Sequence, residues 1–248
     1  MGRIVQKLRL FGLAGLLVAL SACATPEVAQ GLNDPYEVEN RQRHALNRDL
    51  DRFVLRPGSN AYGGILPQPV RQGVGNFASN LSMPSVVMND LFQGRIDDAA
   101  HNSLRFLLNT TIGLGGLLDL GTQNGLELRD SDFGETLYVW GLREGPYLEL
   151  PGVGPSTTRH AFGRVVDLFT NPVSYMVSTP EAYIPPVAKL GSVLGNRYRY
   201  GATIDSMLYE SADSYTQARL LYLENRRYRL GSAGTTEEVY DIYEELYE

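Results

Sequence analysis

The sequence predicts a mainly α-helical body joined by irregular, Gly- and Pro-rich loops. Three observations carry that reading. Ile96, Ala100, Leu104, Leu107 and Leu108 recur at helical spacing from Ile96 to about Thr111. Prolines stand where helices open, at Pro35 behind Asp34, at Pro67 and Pro69, and at Pro84. Between Leu190 and Leu230, Tyr200, Ile204, Met207, Ser211, Tyr215, Ala218 and Tyr222 fall on one helix face. A chain of 248 residues fits one large domain, or one domain with a helical extension.

The first segment reads as an export signal. Arg3, Lys7 and Arg9 make its basic region, and the apolar run from Leu10 to Leu20 is too short to span a bilayer. Leu20-Ser21-Ala22-Cys23 resembles the lipobox of bacterial lipoproteins. In that class the cysteine carries a diacylglyceryl thioether, the signal is cut just before it, and the new amine is acylated. Each buried methylene adds ~0.8 kcal/mol, so three chains anchor a protein essentially permanently. Residues 1–22 are thus expected to be a signal peptide, Cys23 a lipid anchor and residues 23–33 a small, polar tether. Ala24 and Thr25 stand where an inner-membrane retention Asp would be, which favours the outer membrane.

The body runs from 34 to 230. Asp34-Pro35 opens a charged helix with a thin apolar stripe, expected to reach Phe53 and to end at Arg56-Pro57-Gly58. A second helix is expected from Pro67 and Pro69 to about Leu81, and a third from Pro84 to Phe92, closed by Gly94. The helix from Ile96 continues into Thr110-Thr111-Ile112-Gly113-Leu114-Gly115-Gly116-Leu117-Leu118-Asp119-Leu120-Gly121. That tract is apolar on nearly every side and broken by glycine, so it is either buried in the domain or immersed in lipid. Asp132 to Pro172 is turn-rich, with a short helix around Arg159 to Phe169. Pro180, Pro185 and Pro186 mark a hinge before one long helix from about Leu190 to Leu230. Residues 231–248 are expected to be an acidic tail, disordered unless bound.

Charge and composition exclude several functions. Losing Arg3, Lys7 and Arg9 with the signal takes the formal charge from −6 to −9. Glu237, Glu238, Asp241, Glu244, Glu245 and Glu248 hold most of that, so nothing favours a nucleic-acid partner. With Cys23 acylated, no thiol remains for a disulfide, a zinc site or a nucleophile. The tyrosines, beside the single Trp140, suit either a membrane-interface belt or a half-buried core.

Motifs that suggest catalysis fail in context. Asp132-Phe133-Gly134 matches the kinase magnesium triplet without the rest of the kinase signature. Gly113-Leu114-Gly115-Gly116 lacks the strand and the Lys-Ser/Thr of a phosphate loop. No nucleophile elbow or His-Glu-x-x-His is present, and His44, His101 and His160 lie on polar or mixed helix segments as ordinary surface or satisfied histidines. No cofactor, metal or catalytic residue is expected.

The order of motifs from Asp34 to about Asp167 resembles the MlaA/VacJ family of outer-membrane lipoproteins. It begins with Asn33-Asp34-Pro35-Tyr36-Glu37, Asn40-Arg41, Asn47, Pro67-Gln68-Pro69-Val70-Arg71, Asn76-Phe77 and Asn80-Leu81. It continues through Leu91-Phe92-Gln93-Gly94, Arg105 to Gly113, Asp119, Asp132-Phe133-Gly134-Glu135-Thr136-Leu137, Trp140-Gly141 and Gly145-Pro146-Tyr147. Leu46 replaces the usual Phe, and His160 the usual Asp after Arg159.

The resemblance implies a single ring-shaped helical domain, lipid-anchored in the inner leaflet of the outer membrane beside a trimeric porin. Such a protein removes misplaced phospholipid from the outer leaflet and passes it to a soluble periplasmic carrier, keeping the membrane asymmetric. A phospholipid needs a path polar for its head and apolar for its tails. Arg105, Asn109 and Asp119 around Gly113, Gly115 and Gly116 are the candidates for it, although the tract reads equally as plain core. The rival readings are a periplasmic lipoprotein hydrolase acting on lipid or cell wall, and a structural membrane tether.

Overall fold

The computed structural model describes residues 34–173, 178 and 180–231. The signal, Cys23, the tether and the acidic tail beyond Gly231 lie outside the described residues. The chain divides after Asp34 into two units, and every element below belongs to the second.

The fold is mainly α, as expected. Helix α1 (Glu37–Leu50) runs through a π-helical turn (Asp51–Leu55) straight into α2 (Arg56–Ile65). Arg56-Pro57-Gly58 therefore does not end the first helix. Pro57 falls in the first turn of α2, where a missing N–H is tolerated, and the π turn shifts the hydrogen-bond ladder just ahead of it. Helix α3 (Gln68–Phe92) likewise runs through Pro84, so the two helices expected here are one. An interior proline costs ~3 kcal/mol, but Met83 and Val86 are buried on either side of it, and the helix packs on both α4 and α8.

Helix α4 (Ile96–Thr111) falls where the periodicity places it. A single turn, α5 (Leu120–Gln123), follows the Gly-rich tract, and Asp132 caps α6 (Phe133–Val139) by accepting from the Glu135 N–H. The turn-rich region holds an unexpected hairpin, β1 (Tyr147–Leu150) against β2 (Gly154–Thr157), antiparallel with Tyr147 opposite Thr157. Two four-residue strands around Pro151-Gly152 are too short to show alternation in sequence. Helix α7 (Thr158–Thr170) follows directly.

The expected long helix is three pieces. Helix α8 (Ile184–Arg199) starts at Pro185-Pro186, α9 (Gly201–Asp205) passes into a second π turn (Ser206–Glu210), and α10 (Ser214–Arg229) begins afresh. The Asp213 side chain accepts from the Thr216 N–H, and that cap makes a new start cheaper than continuation. Of the expected face, Tyr215 and Ala218 are buried, while Tyr200 is exposed.

The polarity is inverted. Among the described residues, 9 buried residues are hydrophobic and 21 are polar or charged. On α4 the buried positions are Ala99, Asn102, Arg105 and Asn109, while Ile96, Leu104 and Leu107 are more than half exposed. The apolar stripe that revealed this helix points outward. Val38, Phe53, Val54, Ile65, Phe162, Leu168, Phe169 and Val187 do the same on other helices. Among the described residues the buried apolar cluster is small: Tyr147, Tyr215 and Leu223, with Tyr222 against it.

Polar contacts and glycines hold the helices together. Arg197 of α8 reaches Asp51 in the first π turn at 2.7 and 2.8 Å and Asp205 of α9 at 2.6 Å, and Tyr209 also donates to Asp51. Contacts between elements close into a circuit: α1 on β1, the hairpin on α7, α7 on α6, α6 on α3, α3 on α8, α8 on α2, and α2 through the π turn back to α1. At the α6–α7 step a Cβ on Gly163 would stand 2.2 Å from the Gly134 nitrogen. Gly163→Ala is therefore expected to lower the unfolding midpoint in detergent, by an overpacking cost of ~1–3 kcal/mol. Gly64→Ala on α2, where a Cβ meets nothing within 4 Å, should raise it by up to ~1 kcal/mol. Thermal circular dichroism of both variants checks the contrast.

Candidate functional site

The residues singled out by sequence fall into three polar clasps and one exposed apolar tract. The first clasp joins Arg105, Asn109 and Asp119. Arg105 donates to Asp119 at 2.8 Å, to Thr122 at 2.8 Å and to the Leu126 carbonyl. Asn109 donates to Asp119 at 3.1 Å and accepts from the Gly121 N–H at 2.8 Å. Burial works to raise the Asp119 carboxyl, but hydrogen bonds from Thr122, Arg105 and Asn109 leave it below its ordinary value. These three side chains are turned on one another and fix the two ends of the Gly-rich tract.

Between those ends the tract is pushed outward. Ile112 and Leu114 are about two-thirds exposed, Leu117 and Leu118 nearly half, and Leu114 takes a left-handed φ of 55°. The apolar side chains of the tract thus lie outside the packed interior, while Gly113 and Gly116 are buried. The inner edge sits on α3: Asn80 donates to Thr110 and to the Gly115 carbonyl, and Asn76 to the Leu117 carbonyl. Gly116 touches this seat, since a Cβ there would stand 2.4 Å from that of Asn80, and its φ is 97°. Gly113 is equally confined, at 2.5 Å from the Asn109 and Leu118 carbonyls. Gly115 leaves room for a Cβ in ordinary contact with the Phe77 ring, but its φ is 74°. These glycines serve close backbone approach and turning.

The second clasp explains Asn40, Arg41 and Asn47. Asn40 donates to the Tyr147 carbonyl at 3.1 Å and accepts from the Glu149 N–H at 2.9 Å. Asn47 donates to the Leu150 carbonyl at 2.9 Å and accepts from the Gly152 N–H at 2.6 Å. Seven residues of helix rise ~10.5 Å, and three residues of strand span ~10 Å. Two asparagine amides on one helix thus match the free edge of β1 as a neighbouring strand would. His44 lies between them, 3.0 Å from the Ser214 hydroxyl and 3.6 Å from Glu149. Arg41 carries the clasp onward to Asp213, the cap of α10, at 2.9 and 3.1 Å. An Asn-x6-Asn spacing was the available sequence signal; Glu149, its hydrogen-bonded partner, had none.

The third clasp contains Asp132, Phe133 and Gly134. Asp132 caps α6 and takes a two-pronged bond from Arg226 of α10, while the Phe133 N–H donates to Asp167 and its ring meets Phe92 and Trp140 edge-on. Burial would raise the Asp132 carboxyl, but Arg226 holds it at about 2. His160 stacks on Tyr222 with Nδ1 2.7 Å from the phenol oxygen, and Arg164 donates to its Nε2. Burial, then Arg226 and Arg164, press the imidazole down to about 4. His101 is satisfied at the Glu127 carbonyl. Among the described residues no cluster of His, Cys, Asp and Glu could hold a metal.

These clasps make two predictions. Asn40→Ala strands the buried Tyr147 carbonyl and Glu149 N–H, at ~1–3 kcal/mol per group. Asn47→Ala frees the part-buried Leu150 carbonyl and the exposed Gly152 N–H and should cost less. Hydrogen exchange should accelerate at the Glu149 amide in the first variant and at the Gly152 amide in the second. The His160 shift gives a pH dependence. Its folded pKa lies below the unfolded ~6.5, so the unfolded chain binds more protons between about 6.5 and about 4. Stability should fall as pH drops through that window and stay full above it. In unfolding midpoints taken from pH 7.5 to 4.5, His160→Gln should flatten this slope.

Comparison with known proteins fits this geometry. The family profile described as "MlaA lipoprotein" matches residues 32–229. The chain is 32% identical over 227 residues to the "Intermembrane phospholipid transport system lipoprotein MlaA" of Escherichia coli (strain K12), covering 88% of this chain and 87% of the relative. Identity to the protein of that name from Haemophilus influenzae is 30%, covering 89% of each. A solved structure described as "Structural basis for maintenance of bacterial outer membrane lipid asymmetry" superposes with a TM-score of 0.69 at 29% identity, covering 79% of this chain and 98% of that one. With a matched span that holds all three clasps and the tract between them, this chain belongs to the MlaA lipoprotein family.

Proposed function

We propose that this protein is an outer-membrane lipoprotein of intermembrane phospholipid transport, removing phospholipid misplaced in the outer leaflet and so maintaining lipid asymmetry. The observation that carries the reading is the inverted polarity. A protein surrounded by water does not leave Phe53, Ile65, Leu168 and Phe169 about 70% exposed while burying Arg105, Arg197 and Arg226. A protein lying in hydrocarbon does, because lipid replaces water outside and internal polar groups must then satisfy one another. Among the described residues no helix is long and apolar enough to cross a membrane. Immersion in a single leaflet fits that fact, with acylated Cys23 as the anchor.

The names of the relatives support phospholipid as the cargo. The finer assignments come from family resemblance: a ring-shaped body in the periplasm-facing leaflet, a trimeric porin beside it and a soluble periplasmic carrier that takes the lipid. The action is non-enzymatic, and a phospholipase assay on the purified chain tests the hydrolase alternative.

The apolar tract gives the direct test. Ile112→Asp with Leu114→Asp changes two largely exposed side chains. In the acylated chain protein abundance should stay near normal while cells become sensitive to detergent. In a chain beginning at Ala24, without the acyl anchor, vesicle co-flotation should fall. Gly116→Val, by contrast, collides with Asn80 and should deplete the protein itself. Unchanged flotation and barrier in the double Asp variant would refute lipid contact by the tract.

A further inference from the structure

Helices α3 and α8 pack closely through small residues and then part. Gly191 faces Val74 and Tyr62, and Gly195, one turn on, faces Tyr62. Beyond that contact lies a cleft of about 410 Å³, with Gly75 and Gly195 in its wall. Its polar lining includes Gln72, Asn76, Asn196, Arg71 and Arg199, and no carboxylate is among the lining residues.

Arg71 is held ready there. A Cβ on Gly63 would stand 2.2 Å from the Tyr198 ring, so that ring lies directly on the α2 backbone. The Arg71 guanidinium stacks over the same ring at 4.5 Å, and its Nε is buried with no hydrogen-bond partner. Among the described residues neither Arg71 nor Arg199 has an ion pair, and the cleft they line offers them no carboxylate. An unsatisfied buried donor beside a second free guanidinium is a site short of an anion.

The surroundings indicate which anion. Asn76 lines the cleft and also donates to the Leu117 carbonyl, and Gly73 lies 3.6 Å from that oxygen when given a Cβ. The polar cleft and the exposed apolar tract therefore share one edge of α3. We propose that Arg71 and Arg199 bind the phosphate of a phospholipid head group in this cleft, with the acyl chains lying over Leu117 and its exposed neighbours. The inference rests on the transport reading and assigns the residues that recognise its cargo.

The test uses the full lipidated chain in detergent, offered phosphatidylglycerol, diacylglycerol of the same chains, or inorganic phosphate, with bound lipid counted by native mass spectrometry. Phosphatidylglycerol should be retained and diacylglycerol not. Arg199→Gln alters an exposed side chain and should weaken retention about tenfold, with Arg199→Lys keeping most of it. Gly75→Leu projects where a Cβ meets nothing within 4 Å and should obstruct the cleft with no fall in unfolding midpoint. Equal retention of diacylglycerol, or undiminished retention by Arg199→Gln and Gly75→Leu, overturns the head-group site. So does inorganic phosphate that binds these variants and wild type with the same pattern and displaces the lipid completely, which marks a free-anion site. Complementation separates the two levels of claim. If Arg199→Gln with Gly75→Leu restores the barrier fully, the head-group site falls and transport stands; if the wild-type chain restores nothing, transport falls.

Discussion

A body that turns its apolar side chains outward has no water on the outside to drive it together. Cohesion has to come from close packing, hydrogen bonds and ion pairs inside, as it does between helices in a bilayer. The described residues meet that constraint at each junction. Arg197, Asp51 and Asp205 tie α8 and α9 to the first π turn; Arg226 and Asp132 tie α10 to α6; Asn40 and Asn47 tie α1 to the hairpin. Glycine does the rest: Gly63, Gly163 and Gly191 bring a ring, a backbone and a valine methyl to distances that no side chain would allow. Removing one partner of such a pair costs more than a surface ion pair would, because its mate is left buried and unpaired.

Much of this was legible in the chain. The helix Ile96–Thr111 stood out by its period, and Asn40, Arg41, Asn47 and Asp132 to Gly134 by the order of their motifs. What period alone could not give was the direction of the apolar stripe. Leu104 and Leu107 recur identically whether they face a core or a membrane, and only the burial of Asn102, Arg105 and Asn109 decides between them.

Breaks were misplaced for a related reason. Pro57 and Pro84 are local stop signals that long-range packing overrides, one through a π turn and the other through burial of its neighbours. The interruption at Ser211 to Asp213 was hidden in a continuous apolar face, because a cap costs one Asp and leaves the period of flanking residues intact. Glu149 and Arg226 gave no signal at all: their roles are fixed by partners 102 and 94 residues away.

The inverted polarity also sets the calorimetry of this fold. Hydration of apolar area raises the heat capacity on unfolding, and hydration of polar area lowers it. When a micelle covers the exposed stripes of α1, α4, α7 and α8 in the folded and unfolded states alike, the surface newly hydrated on unfolding is mainly the Arg, Asn and Asp interior. The heat-capacity increment per residue is then small for a chain of this length. The stability curve loses its usual dome and declines almost linearly with temperature, so that cold denaturation recedes and enthalpy carries the fold throughout.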